Sequence, residues 1–259
     1  MDGIDPALLA DLPRYAFGLA MVLARVGCAC MALPVIGEAE VPTTVRLGFV
    51  LALAALLLPG LMAVLPAPPA SVGHLFAMLA AEIVTGLMFG WLARLVILAA
   101  TTAGQFMALA VGLSSVLQQD PALGTQTAAL GRLFAVAAPV VLLASGLYAA
   151  PLLALRGSYD VIAPGSLLPA AQAWPAVLAA ATACVALAVK LAAPLLLASV
   201  LAQVAMALAG WIAAPLAVGA ALAPGPILGG LALLAVLGGG MLVTWRDAAG
   251  GLFAALPGR

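Results

Sequence analysis

Residues 191–245 read LAAPLLLASVLAQVAMALAGWIAAPLAVGAALAPGPILGGLALLAVLGGGMLVTW and contain no Asp, Glu, Lys or Arg. A bilayer's hydrocarbon core is roughly 30 Å thick and is crossed by about 20 helical residues. The run is therefore long enough for two spans, and Pro224-Gly225-Pro226 in its middle is a strong helix breaker. It reads as a helical hairpin.

The same test works outward along the chain. Residues 47–81, 95–119, 133–155 and 161–189 are also free of charge. Pro66 to Pro69 splits the first of these, so one helix is expected near 44–64 and another from about 72 to 109. Pro59 leaves the end of the earlier one open. With a helix at about 7–32, one at about 127–149 and the final pair, the chain is expected to be all-α, with about six long apolar helices. Strands are excluded because lipid forbids open sheet edges and the runs are far longer than barrel strands.

Composition agrees. Of 259 residues 66% are hydrophobic and 7% charged, and the mean hydropathy is +1.28. An ordinary soluble domain is about half apolar and about a quarter charged. Too little polar surface exists here to cover a body in water, so the solvent is lipid or other apolar subunits. Nine basic residues balance nine acidic ones, and the basic ones are scattered, which sets nucleic acid aside as a partner. The amino end, MDGIDPALLADLPRY, is acidic where a secretory signal is basic, so the first apolar stretch is expected to be retained. Basic residues are too few in the loops to orient the spans.

Chemistry-bearing residues are scarce. One histidine, His74, excludes triads and metal sites that need two. Cys28, Cys30 and Cys184 lie in apolar runs and read as small buried hydrophobes. Ser158, Tyr159 and Asp160 fall in a second polar connection, RGSYDVIAPG, but no base accompanies the serine and no phosphate-cradling motif is present. No catalytic, cofactor or metal site is expected.

Charge inside the apolar stretches is the exception, at Arg25, Glu82, Arg94 and Lys190, and such groups are functional candidates by default. Glu82, Gly86, Gly90 and Arg94 recur every four residues along one helical stripe, and the middle pair forms a G-x-x-x-G that admits close helix approach. With Arg25, these read as helix-packing residues with satisfied charges. The competing reading makes Glu82 an ion-coupling carboxylate.

The most polar interior stretch is Gly112-Leu113-Ser114-Ser115-Val116-Leu117-Gln118-Gln119-Asp120-Pro121-Ala122-Leu123-Gly124-Thr125-Gln126. Asp120-Pro121 favours a turn, and no helical period runs through it. At membrane depth such a loop must be buried in protein or line a cavity. It reads either as a surface connection or as a loop that obstructs a pore.

Arg25-Val26-Gly27, Leu33-Pro34-Val35-Ile36-Gly37, Val41-Pro42, Val45-Arg46 and Pro59 together resemble the N-terminal signature of the FliR/SctT family of type III secretion export-gate subunits. Glu82, Gly86, Gly90, Ala103-Gly104-Gln105, Gly112-Leu113, Asp120-Pro121, Gly124, Ser158 and Pro164-Gly165 continue it in order. Retention of the arginine with the Pro-Val and Val-Pro pairs favours the flagellar branch. The last third departs from the pattern at Gln203-Val204-Ala205-Met206.

The resemblance implies a non-enzymatic pore subunit that joins FliP-like and FliQ-like subunits, beside FlhB-like and FlhA-like export components, in the inner membrane and flagellar basal body. It implies a FliP-like part over 1–170 and a FliQ-like helical hairpin over 171–259, in a membrane-associated helical assembly. It implies that unfolded flagellar proteins pass through the channel, and that the loop near 112–126 plugs it when closed. It also implies that many of the helices sit above the bilayer plane, buried by neighbouring subunits. The alternative is a polytopic solute permease that uses Glu82 for ion coupling and the Pro-broken helices around Pro194 and Pro215 for binding.

Overall fold

The computed structural model describes residues 6–111, 129–167, 170–212 and 225–256. The stretch 112–126, read above as a candidate plug, lies outside them, as does the Pro215 region. The described residues form seven α-helices and no strand. These are α1 (Pro6–Ala32), α2 (Thr43–Leu61), α3 (Val72–Val111), α4 (Ala129–Ser145), α5 (Ala149–Val161), α6 (Ala170–Ile212) and α7 (Gly225–Ala254).

Most boundaries follow from the breakers in the sequence. Pro42, in extended conformation, precedes α2, and Pro59 is accommodated within its last turns. α3 runs unbroken for 40 residues and α6 for 43. At 1.5 Å per residue these helices are about 60 and 65 Å long, twice the hydrocarbon thickness. Only part of either can lie in lipid.

Two expectations need correction. The helix expected over 127–149 ends at Ser145, because Gly146 adopts φ +73°, and a separate helix, α5, begins at Ala149. The polar stretch RGSYDVIAPG is not a connection throughout, since Arg156 to Val161 complete α5. The first helix of the C-terminal pair starts at Ala170 and carries Lys190 in its interior. One lysine costs a helix little, as its straight side chain is a good helix former.

The chain divides into two compact units. One comprises 1–94, 146–179 and 252–259, the other 95–145 and 180–251. In the first, α1 and α2 form an antiparallel pair: Gly18 faces Leu58, Met62 and Leu65, while Gly27 faces Val50. α3 runs parallel to α1, with Gly86 against Arg25 and Gly90 against Ala29. Met21, Val22, Val26, Ala29 and Cys30 of α1 are fully buried.

The second unit is built from the second half of α3, α4, most of α6, and α7. Its core contains Val96, Ala100, Ala103 and Met107 of α3, Ala138 and Leu142 of α4, Leu195 of α6 and Trp245 of α7. Trp245 is fully buried and donates its indole N–H to the Val96 carbonyl at 3.0 Å. Gly104 lets α4 approach closely, since a Cβ there would lie 2.7 Å from the Leu130 carbonyl oxygen.

Large apolar side chains remain bare. Only 11% of the most apolar stretch of α2 is buried, and 11% of that of α7. Leu56 of α2, Trp211 of α6 and Val236 of α7 are each more than three-quarters exposed.

Candidate functional site

Within the first unit, α1, α3 and α5 converge on a single buried polar node. Arg25, Glu82 and Ser158 have no exposed surface at all. Arg25 donates through Nε to Glu82 Oε2 at 2.6 Å and through Nη2 to Oε1 at 3.0 Å. That two-pronged arrangement matches the guanidinium fork to the carboxylate plane.

The rest of the guanidinium is also occupied. Nη1 donates to Ser158 Oγ at 3.3 Å and to the Ile162 carbonyl at 3.3 Å, and Nη2 to the same carbonyl at 3.2 Å. Ser158 can accept because its own hydroxyl proton points to the Leu155 carbonyl, at 2.6 Å. The Tyr159 ring lies under the cation, 4.1 Å from the guanidinium carbon, an arrangement in which the ring's electron-rich face attracts the charge. Its buried hydroxyl has no hydrogen-bond partner among the described residues.

Glu82 receives a third bond from the Gly165 backbone N–H, at 2.6 Å. The turn that aims this N–H is Ala163-Pro164-Gly165-Ser166, closed by Ser166 N–H to Ala163 O at 3.1 Å. Gly165 holds φ +78°, a conformation that an L side chain rarely adopts, and proline is favoured at the preceding turn position. Thus the Pro-Gly dipeptide supplies backbone geometry to a side chain far away in sequence.

Two glycines bring Glu82 within reach of Arg25. A Cβ on Gly86 would run into the Arg25 carbonyl oxygen, and one on Gly90 would lie 2.5 Å from the Ala29 oxygen and 2.9 Å from the Ala32 Cβ. Glu82, one turn before Gly86, is carried to the α1 surface by the same contact.

Arg94, at the end of the stripe, meets a different partner. Its Nη2 lies 3.2 Å from Glu38 Oε2 and its Nη1 3.4 Å from Oε1, both side chains being partly exposed. Glu38 belongs to the α1–α2 connection, which Arg46 organises by donating to the carbonyls of Ile36, Glu38 and Val41 at 3.1, 2.8 and 3.4 Å. Val35 in this connection has φ 73°, an uncommon state for a β-branched residue.

The structure thus brings Arg25, Glu82, Gly86 and Gly90 into one contact, and places Arg94 at a second. Sequence reasoning named no partner for Arg25 and missed Glu38, Ile162 and Gly165 as contributors. Parity was the available signal for the first: a deep cation and a deep anion must find each other. No comparable signal marked backbone groups. Among the described residues no group of His, Cys, Asp and Glu is arranged to hold a metal ion.

Chemically the Arg25 guanidinium and the Glu82 carboxylate are saturated. A carboxylate that accepts three hydrogen bonds and has no water contact is suited to locking helices together, and poorly suited to exchanging protons or cations.

Comparison with known proteins agrees with this architecture. The chain is 28% identical over 228 residues to the flagellar biosynthetic protein FliR of Caulobacter vibrioides, covering 88% of this chain and 91% of that one. The family described as bacterial export proteins, family 1, matches residues 16–251, which take in most of the first compact unit, all of the second and the whole Arg25–Glu82 node. The protein, whose described residues form only helices, five to six of them apolar enough to cross a membrane, therefore belongs to this family of bacterial export proteins, the FliR/SctT family.

Proposed function

We propose that the chain is a structural pore subunit of the flagellar type III protein export gate, assembling with FliP-like and FliQ-like subunits around the channel for unfolded flagellar proteins. The observation that carries this reading is the family match over residues 16–251, joined to a flagellar biosynthetic relative matched over 91% of its length. In this reading residues 1–170 form the FliP-like part, 171–259 the FliQ-like hairpin, and the loop near 112–126 plugs the resting channel. FlhB-like and FlhA-like components sit beside it in the inner membrane and basal body.

Physical features support an assembled role. α2 and α7 bury little of their apolar surface within the chain, and patches well beyond a few hundred Å² mark contact with protein or lipid. α3 and α6 outreach the bilayer, so their outer lengths need other cover. Packing of Arg25, Glu82, Gly86, Gly90 and the Arg94–Glu38 pair makes the first unit stiff, which suits a wall rather than a carrier that must rearrange.

The permease reading assigns Glu82 to ion coupling. The three bonds to Glu82 and its full burial argue against that role, because a coupling carboxylate needs a path to its ion and an oxygen not already held by an arginine.

The test is stability in company. Purified alone in mild detergent the chain is expected to aggregate or unfold readily, and coexpression with the FliP-like and FliQ-like subunits of the same cell to rescue it as one particle. A lone chain that is monodisperse, stable and active in solute uptake would overturn the proposal.

A further inference from the structure

Lys190 is the only lysine in the chain and the one charged side chain between Asp160 and Arg246. It stands in the middle of α6, is exposed, and has no partner among the described residues. We propose, on the reading of the chain as an assembled gate subunit, that the outward face of α6 docks against an apolar helix of a neighbouring subunit, and that Lys190 pairs there with a single Asp or Glu of that helix.

The face has the form of a helix-packing seam. Ala186, Lys190, Ala193, Leu197, Val200 and Val204 recur at alternating steps of four and three, the heptad spacing that one helix presents to another. Ala193 is half-buried and the other five are exposed. Leu187, Ala188, Leu191, Ala192 and Leu195 of the same helix are buried within the second unit. At 3.6 residues per turn those buried positions lie about half a turn round α6 from the seam. The seam therefore points away from the core of its own unit, and its alanines admit a close neighbouring backbone.

Length makes the cover protein, at whatever depth the helix sits. α6 has about 30 Å of uncharged helix before Lys190 and about 33 Å after it, and a hydrocarbon core is roughly 30 Å thick. Leu178, Val185 and Val189 are exposed before Lys190, as Leu197, Val200 and Leu201 are after it. Lipid covers one half at most, and the other, equally apolar, needs a protein surface. Lys190 stands where the halves meet and so borders that surface. A bilayer centred on Lys190 instead would put a bare cation at its middle, where charge is costly unless it is paired.

Charge then selects the partner's chemistry. One polar residue in an apolar seam fixes the register of the two helices at some cost in stability. An ammonium closed into such a seam needs a counter-charge, because a buried charge left alone is strongly unfavourable. A carboxylate on the facing helix supplies it, while the lysine stem lies along the apolar surface between them.

The test uses the full chain in native membranes and a membrane-permeant carbodiimide, which joins an amine to a touching carboxylate as an amide with no spacer. Lys190 offers the chain's only side-chain amine. The expected product is a peptide pair linking Lys190 to an Asp or Glu within an apolar helix of another subunit. It should vanish in Lys190→Arg, which keeps the charge but is not acylated. Lys190→Glu should lower recovery of the assembled complex several-fold, Lys190→Arg should leave it unchanged, and exchanging the mapped carboxylate for Lys should rescue Lys190→Glu. All three residue types are good helix formers, so the fold of the chain itself is held constant. A link to a carboxylate in a subunit that is neither FliP-like nor FliQ-like keeps the pairing and sinks the gate reading. No link, a link only to carboxylates of this chain, or a Lys190→Glu complex recovered as well as the unmodified one overturns the pairing.

Discussion

Arg25 and Glu82, on α1 and α3, form a two-pronged ion pair with neither side chain exposed to any degree. Desolvating two charges is costly, so such a pair adds little net stability over well-packed apolar residues, yet removing one member leaves a buried charge alone at a cost of about 3–5 kcal/mol. Arg25→Met and Glu82→Leu should each lower the thermal midpoint sharply. The double substitution should be milder than the sum of the two, as contacting residues are not additive. A thermal-shift cycle on the detergent-extracted complex checks this. Additive losses would mean that the pair does not couple α1 to α3.

Glycines in this chain divide by what they face. Gly86→Leu must displace the α1 backbone, with an expected cost of about 1–3 kcal/mol or more. Gly238→Ala meets nothing within 4 Å, and is expected to be neutral or to stabilise by about 0.5–1 kcal/mol through reduced backbone entropy of the unfolded chain. Measured side by side, the midpoint of Gly86→Leu should fall while that of Gly238→Ala holds or rises.

Trp245 joins α7 to α3 through both burial and its indole N–H. Trp245→Phe should cost about 1–3 kcal/mol, since it leaves volume unfilled and removes the donor to Val96. Trp245→Ala should cost about 3–5 kcal/mol. Equal midpoints for the two variants would show that volume contributes nothing at this position.

Much of the helical layout was legible because apolar runs and Pro or Gly breakers are local signals. The 191–245 run announced a hairpin, and Pro66 to Pro69 separated α2 from α3. The break at Gly146 was not legible: a single glycine in an apolar run looks the same whether its φ is positive or helical. Nor was the helical state of Ser158 to Asp160, of which Ser158 and Tyr159 meet Arg25 from within α5. The stripe Glu82, Gly86, Gly90, Arg94 could be read as one face. Its partners could not, because the choice of α1 for Glu82 and of the α1–α2 connection for Arg94 is made by tertiary geometry. Gly165 contributes a backbone N–H, which no residue type advertises.

If the loop near 112–126 closes the resting channel, deleting residues 114–120 should leave assembly intact and make the membrane permeable to small solutes. Conductance of vesicles bearing the assembled complex reads this directly. Unchanged conductance in a correctly assembled complex counts against the plug.

The central claim is that this chain works as one subunit of an export gate. Its most direct test is to tag the chain at its own locus, extract it in mild detergent, and identify what copurifies at native abundance. Recovery in one large particle with FliP-like and FliQ-like subunits is the expected result. Recovery as a lone chain or small homo-oligomer, with those subunits expressed yet absent from the particle, would contradict it.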